Sequence, residues 1–301
     1  MNRNIKKILV IRFSALGDIV LTLPILEFLG VRSELHFLSH PLAHEILDLT
    51  NIRFLCYEKK MSLSEKFKLI FDLRRIGYDL VIDLQGNRFS RLLTHLIGAE
   101  TIRLSDDRER HALENYAGTV CTSYPEFKLR PDYLLPVSGE TVEIEKPYAC
   151  LFFSSSRRWS SKRISLELAD RIVDFLIKRG LTPVLIGGSE DQEYHQSLGF
   201  PEKVIDLTGK LNFGQLKALM SCAGQIVTTD SFPMHLAAFC GTPVIAFFGP
   251  TDERRCGPWS SRTTILTAPA SCRTCYRSRC QRQDCLKVDW AIVRSAIEKN
   301  L

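Results

Sequence analysis

Apolar residues in this chain come in short β-branched runs separated by longer stretches with helical spacing. Ile8-Leu-Val-Ile11 is the first run, ending at Arg12. The turn-like Ser14-Ala-Leu-Gly17 follows, and a helical pattern starts at Asp18. Glu34–Leu38 reads as a second strand and Pro41–Leu49 as a helix. Helical spacing returns over Leu63–Ile76, and Asp79–Leu84, bounded by Gly86, is a buried strand. Strands alternating with helices predict a parallel sheet covered on both faces, because a parallel crossover needs a helix-length connection.

The periodicity fades between about Ser123 and Lys146. Pro125, Pro131, Pro136, Gly139 and Pro147 punctuate this stretch, and Glu140, Glu143 and Glu145 cluster in it. It reads as an inter-domain linker region, with domains at 1–140 and 141–301. The alternation then resumes with strand Ala149–Phe153, helix Ser165–Arg179 and strand Pro183–Ile186. Strand Val204–Leu207, helix Phe213–Ala223, strand Ile226–Thr229, helix Pro233–Cys240 and strand Val244–Phe248 complete it. Gly180, Gly224 and Gly241 each follow a helix directly, where a left-handed cap is expected. The predicted architecture is α/β: two doubly wound, Rossmann-like domains facing across a cleft.

At 301 residues the chain has length for two medium cores, and its 45% apolar and 25% charged content excludes a disordered or fibrous chain. A net charge of +6 is too mild to name a partner by itself. Lys6 and Lys7 precede an apolar stretch, but Arg12 and Asp18 interrupt it, so no signal peptide is expected. No uncharged run nears the roughly 18 residues that a membrane span requires. The expectation is a cytoplasmic protein whose ten cysteines are mostly reduced.

Open α/β sheets bind ligands where strands end and helices begin. In Phe13–Asp18, the Asp18 carboxylate falls in the first helical turn, where the dipole favours its ionised form; the plainer role is a helix cap. Gly17 is the loop's only glycine, which disfavours a dehydrogenase-type dinucleotide fingerprint. In Thr228–His235, the free N–H groups of a helix start and the Thr229 and Ser231 hydroxyls suit a diphosphate. Pro233 fits the first turn there, and His235 lies one turn further in. Ser154–Arg163 offers five hydroxyls, three arginines and one lysine, among which Ser156 and Lys162 are donor-site candidates. A lysine opposite a diphosphate neutralises charge growing on a leaving nucleotide.

Several segments together, in this order, strongly resemble glycosyltransferase family 9, the ADP-heptose:lipopolysaccharide heptosyltransferases and their relatives. They are ILVIRFSALGDIVLTLPIL, VIDLQGNRFSRLL, SKRIS, LIGGSED and DLTGK followed by TTDSFPMHLAAFCGTPVIAFFGPTD. The resemblance runs from about residue 7 to the end and is strongest between 205 and 252. It implies a GT-B fold, with the acceptor mainly on the N-terminal half and the nucleotide sugar mainly on the C-terminal half. It also implies inverting, metal-independent transfer, most simply of heptose from ADP-heptose to a lipid A-linked lipopolysaccharide core, with no catalytic cofactor.

By position in the resemblance, Asp18 matches the base that takes the acceptor hydroxyl's proton, and Lys162 the lysine at the donor phosphates. Asp230, Ser231 and His235 match the donor-binding loop, Leu211 a position beside the nucleotide, and Glu190 an acid near the adenosine ribose. Ser14 and Gly17, with Asn87, Arg88 and Arg91, lie where an anionic acceptor is gripped. The partners implied are a nucleotide-sugar donor, a lipid-linked glycan acceptor and the inner face of the cytoplasmic membrane, with peripheral attachment and no nucleic acid.

The sequence departs from the family pattern at two places. Phe232 stands where the donor loop usually has glycine, which restricts positive φ and close approach to phosphate. Ser154-Ser-Ser-Arg-Arg replaces a His-Pro-Gly-like start. Both bear on the donor, and another nucleotide sugar for a surface glycan is the alternative. Cys272, Cys275, Cys280 and Cys285 lie among arginines at spacings of two, four and four residues. Zinc sites use the first spacing, and this apolar-poor segment calls for some ordering element. A structural, non-catalytic zinc is the expectation for it, and a basic zinc-dependent nucleic-acid module is the competing class.

Overall fold

The computed structural model describes residues 5–46, 52–136 and 139–301. The chain divides into two compact units, Met1–Arg130 and Pro131–Leu301. The division falls ten residues before the expected 140/141 boundary, because the proline-rich stretch is already attached to the second unit. There Leu135 donates its N–H to Phe239 O at 2.8 Å, Tyr133 stacks edge-on against Phe239, and Asp132 accepts from Ser261 N at 2.7 Å.

The first unit holds a parallel sheet of β1 (Lys7–Arg12), β2 (Glu34–Ser39), β3 (Ile52–Cys56), β4 (Leu80–Asp83) and β5 (Glu100–Arg103), in the order β3-β2-β1-β4-β5. Its helices are α1 (Leu16–Leu21), α2 (Leu23–Gly30), α3 (Leu42–Ile46), α4 (Leu63–Ile76), α5 (Arg88–Ile97) and α6 (Ala112–Cys121). Ile8, Leu9, Val10 and Ile11 are all fully buried, as a central strand with neighbours on both edges and helices on both faces requires. The expected helix Pro41–Leu49 is realised as α3 as far as Ile46; residues 47–49 lie outside the described residues. The sequence pattern did not disclose β3 and β5, which are half-exposed edge strands. It did not disclose α5 or α6 either.

The second unit holds β6 (Tyr148–Phe152), β7 (Thr182–Leu185), β8 (Ile205–Asp206), β9 (Gln225–Thr229), β10 (Val244–Phe247) and β11 (Thr263–Leu266), in the order β11-β10-β9-β6-β7-β8. Its helices are α7 (Leu166–Lys178), α8 (Gln192–Ser197), α9 (Phe213–Cys222), α10 (Phe232–Phe239), α11 (Glu253–Cys256) and α12 (Trp290–Glu298). Apolar faces of α7 and α12 bury Ile172, Leu176, Val293 and Ile297 with Leu151, Val227 and Ile245 of the sheet. Gly180 and Gly241 take the expected left-handed conformation, at φ of 77° and 76°. Gly224 does not. Its N–H donates to Tyr148 O at 3.0 Å, and a Cβ on it would make only an ordinary 3.5 Å contact with that oxygen, so neither conformation nor space demands glycine there.

Each sheet reverses its winding direction once. In the first unit this happens between β1 and β4, and in the second between β6 and β9. The crevices outside the carboxyl ends of those strand pairs are the ligand positions of a doubly wound sheet.

Candidate active site

The loop after β1 carries Asp18 at the first switch point. Asp18 lies in the first turn of α1, and its Oδ2 accepts from the Ala15 N–H at 3.1 Å. It does more than cap. Arg12, the residue closing β1, places its guanidinium 2.7 Å from Asp18 Oδ2 and donates to Leu84 O at 2.6 Å. The Tyr116 hydroxyl, from α6, donates to Asp18 Oδ1 at 2.8 Å. Burial alone would raise the carboxyl's pKa, but Arg12, Tyr116 and the Ala15 N–H outweigh it and hold Asp18 below its ordinary range. The side chain remains 32% exposed, so the carboxylate is not sealed from solvent.

The loop after β4 flanks it. Gln85 Oε1 accepts from the N–H groups of Phe13 and Ser14 at 2.8 and 3.2 Å, tying the two loops together. Asp83 fixes the turn by accepting from Gln85 N, Gly86 N and the Ser90 hydroxyl at 3.0, 3.0 and 2.8 Å. Asn87 caps α5, accepting from Ser90 N at 2.8 Å, which commits its side-chain oxygen to structure. Ser14, Arg88 and Arg91 are exposed, with Arg88 opening α5 and Arg91 one turn on, while Gly17 is half-buried.

In the second unit the loops after β6 and β9 meet at the other switch point. Lys162 ends the 3-10 turn Arg157–Lys162, which Ser156 opens, and its Nζ lies 2.5 Å from Asp230 Oδ2. The ammonium also stands 4.7 Å above the Trp159 ring. Thr251 donates its hydroxyl to the same Asp230 oxygen at 2.5 Å. Thr229 donates to Ser154 O at 2.7 Å, and Ser231 to Thr229 O at 3.1 Å, which fixes the start of α10. His235 is buried one turn into that helix. Glu190, in the 3-10 turn after β7, and Leu211, after β8, lie on the adjoining loops of the same sheet edge. Phe232 needs no positive φ. It opens α10 half-buried, and its ring meets Phe213 edge-on at 5.5 Å.

The four cysteines of the C-terminal segment are not assembled as ligands. Among the described residues no group of three or more His, Cys, Asp or Glu side chains is placed to hold a metal ion, so the expected zinc has no ready-made site. Cys285 is buried and the other three are exposed. The segment is tied by hydrogen bonds to the loops after β6 and β10. Ser161 donates its N–H to Ser278 O at 3.2 Å and its hydroxyl to Arg277 O at 2.7 Å. Gln283 Nε2 donates to Ser160 O at 3.0 Å and Arg163 O at 3.3 Å. Tyr276 N donates to Pro250 O at 2.8 Å, beside Thr251. Every residue flanking Lys162 is thus held by this segment. The left-handed backbone of Thr274, Tyr276 and Gln283, at φ of 57°, 53° and 45°, costs about 1–2 kcal/mol per residue and is offset by those bonds.

Gln283→Ala removes both bonds that bracket Lys162. As a test of the expected diphosphate site, it should weaken binding of ADP about three- to tenfold, the worth of one ordinary hydrogen bond, and lower the melting temperature by about 2–4 °C as the segment loses both anchors. Calorimetry with ADP checks this; unchanged affinity would mean the segment does not set the lysine.

Arg12, Tyr116, Thr251 and Gln283 were not among the sequence candidates. Arg12 had a signal, a charge closing an otherwise apolar central strand. Tyr116 had none, since it meets Asp18 from 98 residues away.

Comparisons with known proteins give the family and the fold. The sequence model of glycosyltransferase family 9 (heptosyltransferase) matches residues 123–286. Lipopolysaccharide heptosyltransferase 3 of Escherichia coli is 26% identical over 296 residues, 81% of this chain and 84% of that one. Lipooligosaccharide heptosyltransferase 2 of Haemophilus influenzae is 28% identical over 120 residues, 38% of this chain and only 33% of that one. The solved structure of E. coli ADP-heptose lps heptosyltransferase II shares the fold at a TM-score of 0.80 and 20% identity, with 98% of each chain covered. Two Rossmann-like parallel-sheet domains of GT-B type are therefore the fold. Matched by the family's model over more than half its length, the chain belongs to glycosyltransferase family 9 and is a glycosyltransferase.

Proposed function

We propose that this enzyme transfers heptose from ADP-heptose to a lipid-linked lipopolysaccharide core acceptor, with inversion and without a metal. The observation that carries the reading is the Lys162–Asp230–Thr251 network at the β6/β9 switch point, a cation held at a helix start where a diphosphate belongs. The heptosyltransferase names of the relatives supply the sugar. The donor lies against Lys162, Ser156 and the Asp230–His235 loop, with Glu190 and Leu211 toward its nucleoside. Ser14, Gly17, Asn87, Arg88 and Arg91 receive the acceptor beside Asp18.

In the reaction the acceptor oxygen bonds to the anomeric carbon as the bond to the diphosphate breaks. The electron pair leaves with ADP, and the hydroxyl proton passes to Asp18. A base with a lowered pKa suits this order, because the attacking hydroxyl becomes strongly acidic only once it has begun to bond. Lys162 stabilises the charge on the departing diphosphate, the role a metal fills in other designs. Among the described residues no helix is long and apolar enough to cross a membrane. A cytoplasmic enzyme attached peripherally to the membrane fits a lipid-linked acceptor.

ADP should bind equally well with and without EDTA when followed by calorimetry. Loss of binding on chelation would reject the metal-independent reading.

A further inference from the structure

The first unit carries an apolar stripe that its core does not use. Leu63, Phe67 and Phe71 of α4 are spaced four residues apart, so they lie one above another on a single face. They are 75%, 66% and 64% exposed. The opposite face supplies the core, with Leu73 buried and Leu69, Ile70 and Ile76 packed around it. Single exposed apolar residues need no explanation, but two phenyl rings and a leucine in register on one helix form a patch.

The charges around this stripe are mostly of one sign. Between residues 58 and 76 there are six basic side chains and three acidic ones. Arg74 continues the apolar face one turn beyond Phe71, and Lys68 and Arg75 border it. Of the acids, Glu65 is turned to the helix start, where it accepts from the N–H and hydroxyl of Ser62 at 2.6 and 2.7 Å.

We infer that the Leu63–Phe67–Phe71 face of α4 docks on a bilayer containing anionic phospholipid. An in-plane helix needs phenyl and leucine side chains to enter the acyl boundary and cationic stems long enough to reach back to the headgroups, and α4 has both. A protein partner is the poorer fit. Three side chains offer on the order of 400 Å², against the roughly 800 Å² per partner of a stable protein interface. Arg and Lys near an anionic surface each add attraction that falls with salt.

The location also has a consequence. Lys66 of α4 stands 5.8 Å from the Phe89 ring of α5, and Phe89 lies 5.9 Å from Phe13, which leads into the Asp18 loop. A bilayer at α4 is therefore next to the loop assigned to the acceptor. That relation rests on the acceptor reading above, whereas the lipid contact itself does not.

The test is sedimentation of the full chain with vesicles of phosphatidylethanolamine and phosphatidylglycerol, and with phosphatidylcholine alone. The protein should partition onto the anionic vesicles, less so in high salt and weakly onto the neutral ones. Phe67→Ser with Phe71→Ser should lower that partitioning at least about tenfold, while melting temperature and ADP affinity stay unchanged. Both positions are exposed, and ADP binding reports on the second unit, so a failed donor reading shows separately as loss of ADP binding by the parent protein. Equal partitioning of parent and variant, or none by the parent, would overturn the inference. So would self-association abolished by the same substitutions without vesicle binding, which would assign the face to a second copy.

Discussion

Asp18→Asn should lower turnover by about two to four orders of magnitude, the range for removal of a general base, while leaving the fold and ADP affinity intact. The amide keeps the size of the side chain and can still accept at one oxygen, so Arg12 and Tyr116 lose little packing. What it lacks is the capacity to take a proton. Near-normal turnover on the true acceptor would return Asp18 to the part of a helix cap. The pH dependence has a definite sign. Since Arg12 and Tyr116 hold the carboxyl below its ordinary range, the basic form persists as pH falls through that range and is lost only below it. Tyr116→Phe removes one of the bonds to the ionised form and should move the acid limb of kcat/KM upward, a displacement that a purely structural tyrosine would not cause.

Lys162→Ala should weaken ADP binding by about 1.5–3 kcal/mol, some ten- to hundredfold, if the ammonium makes a charge-assisted bond to phosphate. It should also destabilise the protein. Asp230 is 7% exposed, and removing its cation leaves a buried carboxylate with Thr251 as its remaining side-chain donor. The two effects separate in a double variant. Lys162→Met with Asp230→Asn removes both charges, so stability should return toward that of the parent while ADP affinity stays low. Recovery of both would mean that Lys162 serves the fold and not the donor.

Much of this molecule was legible in its sequence, and the reasons lie in particular residues. Leu63–Ile76 is bounded as the pattern predicts because Ser62 and Glu65 form a capping box at one end and Gly77 a left-handed cap at the other, all local signals. The central strands declared themselves through apolar runs such as Ile8–Ile11. Edge strands β3 and β5 did not, since half-exposed residues alternate too weakly over so few positions. The site divides in the same way. Loops after strands singled out Phe13–Asp18, Ser154–Arg163 and Thr228–His235, because a parallel sheet fixes where ligands go before any contact is known, and the family resemblance picked Asp18, Lys162 and Asp230 within them. Their partners were hidden. Tyr116, Thr251 and Gln283 reach their targets from distant parts of the chain, and no local pattern encodes that. The cysteine spacing pointed to a metal; among the described residues no three such side chains are grouped to hold one, and Ser161 and Gln283 tie the segment to the loop after β6.

The central claim is heptosyl transfer from ADP-heptose, and one measurement addresses it directly. Lipid-linked core glycan is taken from a strain of the source lacking this gene, incubated with the purified protein, ADP-heptose and EDTA, and analysed by mass spectrometry. The account predicts a gain of one heptose per acceptor, absent with Asp18→Asn over the same time. An acceptor left unchanged by ADP-heptose but extended by a different nucleotide sugar would contradict it.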